Sequence, residues 1–151
     1  YLNKTIEFKG RIEQEGVIQL HEKLKIELQP VVLGGDLAKM LGIKPIYFDL
    51  GKFNIRKDAA IELDKIVKVM NENPTMVIEL GSHTDCRSSI KFNETLSSNR
   101  AKSSAAYIQQ RISNPSRIYG KGYGETRLLN DCGCEGTVKS SCTEEQHQLN
   151  R

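Results

Sequence analysis

Met76-Val77-Ile78-Glu79-Leu80-Gly81-Ser82-His83-Thr84-Asp85 decides the fold of this chain. Its apolar run through Leu80 reads as a strand apolar enough to be central in a sheet, and Asp85 stands just past its end. The spacing then predicts a long helix over 90–111, because Ala101, Ala105, Ile108 and Ile112 recur at steps of three and four. Asn114-Pro115 closes that helix. Arg117-Ile118-Tyr119-Gly120-Lys121-Gly122-Tyr123-Gly124 follows as a strand whose glycines allow close backbone approach or a bend.

Working upstream, Ile55, Ala59, Leu63, Ile66 and Met70 mark one buried face of a helix over 56–71, stopped by Asn73-Pro74. Pro45-Ile46-Tyr47-Phe48-Asp49 reads as a compact apolar strand ending in an acid. Residues 1–30 alternate loosely, as in short strands separated by Gly and charged turns. Residues 31–44 read as a linker with one helical turn at 36–41. Downstream, Thr143-Glu144-Glu145-Gln146 is a capping box announcing a short last helix to Asn150. The expectation is therefore an α/β sandwich of order βαβαβ-loop-α, with helices packed on a small mixed sheet over 45–151. A β-rich arm and linker over 1–44 would precede it as the tail of an upstream domain. The chain opens on Tyr1, which suggests a fragment of a longer precursor.

Composition excludes more than it selects. The 151 residues carry 22 basic and 19 acidic side chains, a balance that argues against nucleic acid. No apolar stretch approaches the roughly 20 residues of a membrane-spanning helix, so any membrane association would come through the parent protein. The motifs of serine hydrolases, zinc proteases and phosphate-binding loops are absent, so no catalysis and no cofactor are expected. Cys132, Cys134 and Cys142 crowd one loop and Cys86 adjoins Asp85. A small loop disulfide, free thiols, or a Cys₃His zinc site with His147 all fit that spacing; a disulfide is favoured because C-x-C is tight for zinc. Three loop cysteines leave one unpaired unless it finds Cys86.

The chemistry gathers around Asp85. Asn93, Leu96 and Arg100 are spaced i, i+3, i+7, so they share a helical face distinct from the Ala/Ile stripe. An acid past the strand end and an arginine on the next helix suit a ligand bearing both an ammonium and a carboxylate. The alternative is a turn-capping Asp85 and a surface ion pair for Arg100. Asp49 alone reads as a turn residue, and His83 as a packed histidine.

Ile46-Tyr47-Phe48-Asp49, Gly81-Ser82-His83-Thr84-Asp85, Asn93-x-x-Leu96-Ser97-x-x-Arg100-Ala101, Gly122-Tyr123-Gly124-Glu125 and Asn150-Arg151 together resemble the OmpA-like C-terminal domain shared with Pal and MotB. That resemblance implies non-covalent binding of peptidoglycan in the periplasm, through the meso-diaminopimelate of the stem peptide. By position, it implies ligand-binding roles for Asp85, Arg100, Asn93, Leu96, Asp49 and Arg151, with Thr84 and Ser97 as supporting hydrogen bonders. The family's usual second arginine and the strand after Asn-Arg have no counterpart here. The loop from Asn130-Asp131-Cys132 to Cys142-Thr143-Glu144-Glu145 resembles the Bacteroidota form, found in the type IX secretion apparatus. Partners would then be the cell wall and other envelope or secretion proteins. A protein-interaction domain and a MotB-like stator anchor are the alternatives.

Overall fold

The computed structural model describes residues 34–49, 51–134 and 140–151. The strands expected within 1–30 lie outside them. The described elements run α1 (Leu37–Leu41), α2 (Lys57–Glu72), β1 (Ile78–Ser82), α3 (Ile90–Gln109), β2 (Ile118–Gly122) and α4 (Glu144–Gln148). The starts of α1, α3 and α4 each have a local cause. Asp36 and Ser89 accept hydrogen bonds from the backbone N–H of Lys39 and Phe92, and Thr143 and Gln146 close the expected capping box.

β1 and β2 pair in parallel, in register from Ile78 opposite Ile118 to Ser82 opposite Gly122. A parallel pair needs a crossover, and α3 supplies it. The core lies between α2, α3 and the sheet: Leu63, Ile66 and Met70 meet Ala105, Ile108, Ile112 and Ile118, all buried. Both predicted helical stripes therefore face this core. Arg117 sits at its edge with Nη1 donating to the carbonyls of Met70, Asn73 and Met76, which ties the end of α2 to the entry of β1.

The mixed α/β class stands, with two corrections. Residues 45–49 carry no ladder hydrogen bonds, so among the described residues the sheet has two strands, and it is parallel, not mixed. Side chains take backbone groups at and beside the two ends of this stretch instead. Arg100 donates to the carbonyls of Asp49 and Lys52, Lys44 N–H donates to Glu62, and Ile46 packs on the core. An apolar run needs a buried surface, and this one finds it without a ladder.

α3 lies on β2 at glycine distance. A Cβ on Gly120 would fall 2.3 Å from the Ala101 carbonyl atoms, and one on Gly122 2.3 Å from Ser98 N. This contact fixes the height at which α3 presents its N-terminal half beside the end of β1.

Candidate ligand cleft

Past the sheet the two strands stay joined, with Tyr123 N–H donating to the Ser82 carbonyl and Thr84 N–H to that of Gly124. The chain then turns beside the first turns of α3. Asn93, buried, clamps that turn: its Nδ2 donates to the carbonyls of Asp85 (3.0 Å) and Ser88 and to the Glu125 carboxylate. Between this turn, α3, residues 46–48 and α4 lies a cleft of about 710 Å³.

One wall is a ring of four charges. The Asp85 Oδ2 accepts from Arg87 (Nη2, 2.9 Å) and from Arg151 (Nε, 2.7 Å), while Oδ1 accepts from the Arg87 backbone. Glu144 closes the ring, 2.6 Å from Arg87 Nη1 and 2.9 Å from Arg151 Nη2. Burial works against the charge on Arg87, but hydrogen bonds and charge from Glu144 and Asp85 outweigh it and raise its pKa further.

The other wall is Arg100. Buried, it donates through Nε to Lys52 O (3.0 Å) and through Nη2 to Asp49 O (3.3 Å), and stacks over Phe48 at 5.1 Å. Burial lowers its pKa and the Asp85 charge partly opposes that; it stays cationic. Nη1 has no hydrogen-bond partner among the described residues. His83 packs against Tyr123 with centroids 5.3 Å apart, and burial, with the Arg127 charge, holds its pKa below the usual histidine range. Its Nδ1 is buried with no hydrogen-bond partner among the described residues.

Of the residues singled out from sequence, Thr84, Asp85, Asn93, Leu96, Arg100 and Arg151 line this one cleft. Ser97 and Asp49 do not. Ser97 is fully buried, donating to Glu94 O and accepting from Gly124 N–H, so it braces α3 against β2. The Asp49 carboxylate is half-exposed and pairs with Arg56 and Lys52; only its backbone carbonyl reaches the site, as an acceptor for Arg100. Arg56, Arg87, Phe92 and Glu144 also line the cleft and were not foreseen. The one available signal was for Arg87, a second cation two residues past Asp85.

The cysteines form two bridges, Cys132–Cys142 and Cys86–Cys134. The loop cysteine left over, Cys134, thus finds Cys86, and no thiolate remains for a Cys₃His zinc site. One bridge fixes the loop behind Asp85; the other ends two residues before Glu144. Replacing Cys86 and Cys134 with alanine is expected to cost roughly 2–4 kcal/mol. Urea unfolding of the double variant under oxidising conditions checks it.

Fold and cleft together define a small α/β domain with a charged ligand-sized cleft. Residues 47–140 match the OmpA family, more than half of the chain, and the protein belongs to that family. A stretch of 82 residues is 32% identical to photosystem I P700 chlorophyll a apoprotein A2 of Gloeobacter violaceus, over 54% of this chain and 9% of that protein. Outer membrane protein Omp38 of Acinetobacter baumannii is 30% identical over 111 residues, 73% of this chain and 30% of that one. The chain therefore spans less than a third of the length of either relative. The crystal structure of the peptidoglycan-associated lipoprotein from Burkholderia pseudomallei shares the fold, with TM-score 0.57 and 17% identity over 70% of this chain and 82% of that one. No described helix is long and apolar enough to cross a membrane.

Proposed function

We propose that this domain, over 45–151, binds peptidoglycan non-covalently through the zwitterionic diaminopimelate end of its stem peptide, and so anchors an envelope protein to the wall from the periplasmic side. One observation carries the reading: Asp85 and Arg100, fifteen residues apart in sequence, line the same cleft. Asp85 supplies a carboxylate for the ligand ammonium, and Arg100 a guanidinium for its carboxylate. Four arginines against two carboxylates around the cleft also suit a peptide that carries further carboxylates. Thr84 Oγ1, buried without a partner among the described residues, is a group that a ligand hydrogen bond would satisfy. Two similar proteins lend support, one an outer membrane protein and one a peptidoglycan-associated lipoprotein. Two disulfides fit an oxidising compartment such as the periplasm. The cysteine-bearing loop supports a finer assignment, to the Bacteroidota form of the domain and a PorE-like role in type IX secretion, with residues 1–44 ending an upstream part.

Affinity for one isolated stem peptide is expected between about micromolar and millimolar, with a polymeric wall adding avidity. Cosedimentation with purified sacculi is the direct test. Free stem tripeptide ending in meso-diaminopimelate should release the protein, whereas the tripeptide ending in lysine, which lacks the second carboxylate, should not. Retention in the presence of saturating diaminopimelate peptide would rule out this ligand, and equal release by both peptides would rule out the zwitterion as the determinant.

A further inference from the structure

We propose that Glu144 is a resident competitor for a second ligand carboxylate, beyond the one assigned to Arg100, a side chain that occupies the Arg87–Arg151 fork until a ligand displaces it. The inference rests on the wall-binding reading above and concerns the strength of that binding.

Three features support it. Glu144 lines the same cleft as Asp85 and Arg100, and its two oxygens span two different arginines at 2.6 and 2.9 Å. This is how a bound carboxylate would engage a pair of guanidinia. Second, Glu144 is needed there by charge: Arg87 and Arg151 share the single carboxylate of Asp85, so the wall without Glu144 keeps an unbalanced cation. Third, the side chain can leave although its backbone cannot. The Glu144 side chain is 56% exposed, whereas α4 is held by its capping box, by the hydrogen bond from Asn130 to the Gln146 carbonyl and by the Cys132–Cys142 bridge. An incoming carboxylate exchanges with Glu144 at the guanidinia and releases it to water. The ligand therefore gains only the difference between two like interactions, which keeps the anchor exchangeable. A neutral group at the same point cannot compete for the fork.

The test measures binding of two synthetic tripeptides by isothermal titration. Both end in meso-diaminopimelate; the second carries a carboxamide in place of a carboxylate elsewhere in the peptide, leaving the free zwitterionic end intact. Glu144→Gln keeps the shape and removes the competing charge, and it should tighten the acid peptide by roughly three- to tenfold, as the loss of two half-exposed ion pairs implies. The amide peptide should change by less than about twofold on the same scale. Glu145→Gln, the same charge change one residue away and outside the cleft, should leave both peptides unaffected. Unchanged or weaker binding of the acid peptide by the Glu144 variant overturns the proposal. So does an equal gain for the amide peptide, or a gain reproduced by Glu145→Gln, which would indicate a general field effect. If the native protein binds neither peptide, the wall-binding reading itself fails; if it binds the acid peptide without any gain in the variant, only the competitor does.

Discussion

Asp85→Asn should lose sacculus binding by roughly ten- to a hundredfold, which corresponds to one charge-assisted hydrogen bond of about 1.5–3 kcal/mol in a shielded site. Asparagine preserves the side chain's size and one of its two acceptor oxygens, so the negative charge is removed with less loss of hydrogen bonding than alanine would bring. Alanine would be the poorer choice, because it also strips Arg87 and Arg151 of a hydrogen-bonding partner. The partners are one-quarter to one-third exposed, so the cost in folding free energy should stay near 1 kcal/mol. Cosedimentation and urea unfolding, run side by side, separate the two effects. Asp49→Asn is the natural comparison: its carboxylate lies outside the cleft lining, and binding should fall by less than about threefold, as for an exposed pair. Equal losses in the two variants would mean that general cleft charge, and not a specific contact at Asp85, governs the interaction.

The largest expected effect on stability is at the glycines of β2. Gly122→Ala would place a methyl 2.3 Å from Ser98 N and 2.6 Å from Ser97 Oγ, and Gly120→Ala would meet the Ala101 carbonyl at 2.3 Å. Both obstacles are helix backbone, which cannot rotate away as a side chain does. Each substitution must lift α3 off the sheet, at a cost of about 3 kcal/mol or more, the upper end of overpacking penalties. The damage would reach the cleft too, since α3 carries Asn93, Leu96 and Arg100. Gly81→Ala supplies the contrast: its nearest neighbour is the Tyr123 ring at 3.3 Å, a side chain able to yield. Thermal unfolding should show a small shift there and a large one at Gly120 and Gly122. Comparable shifts at all three would disprove the close-approach account.

The parts of this fold that were legible in sequence are those set by local periodicity. The stripes through Leu63 and Ile108 announced α2 and α3 to within two residues at either end. The glycines of β2 announced a close approach, though not which element would make it. The apolar run over 45–49 misled because hydrophobicity reports burial and not ladder pairing; its carbonyl partner is Arg100, 51 residues away from Asp49. In the cleft, the i, i+3, i+7 spacing placed Asn93, Leu96 and Arg100 on one face. The same spacing could not show that Ser97 faces β2. Glu144 was visible only as part of a capping box. Its place opposite Arg87, 57 residues earlier, depends on two disulfides whose pairing no spacing rule determines.

The proposed anchoring role would require the domain to resist force as well as dissociation. Cys86–Cys134 spans 48 residues, including all of α3 and β2. Tension transmitted along the polypeptide would cross that ring at its sulfur atoms, so roughly 160 Å of contour, at about 3.3–3.6 Å per residue, cannot be drawn out. Arg100 and Asn93 lie inside the ring and Asp85 immediately outside it. The domain should thus yield under pulling in its first helices before the cleft is deformed, and reducing agent should lengthen the extension measured when a single molecule is stretched.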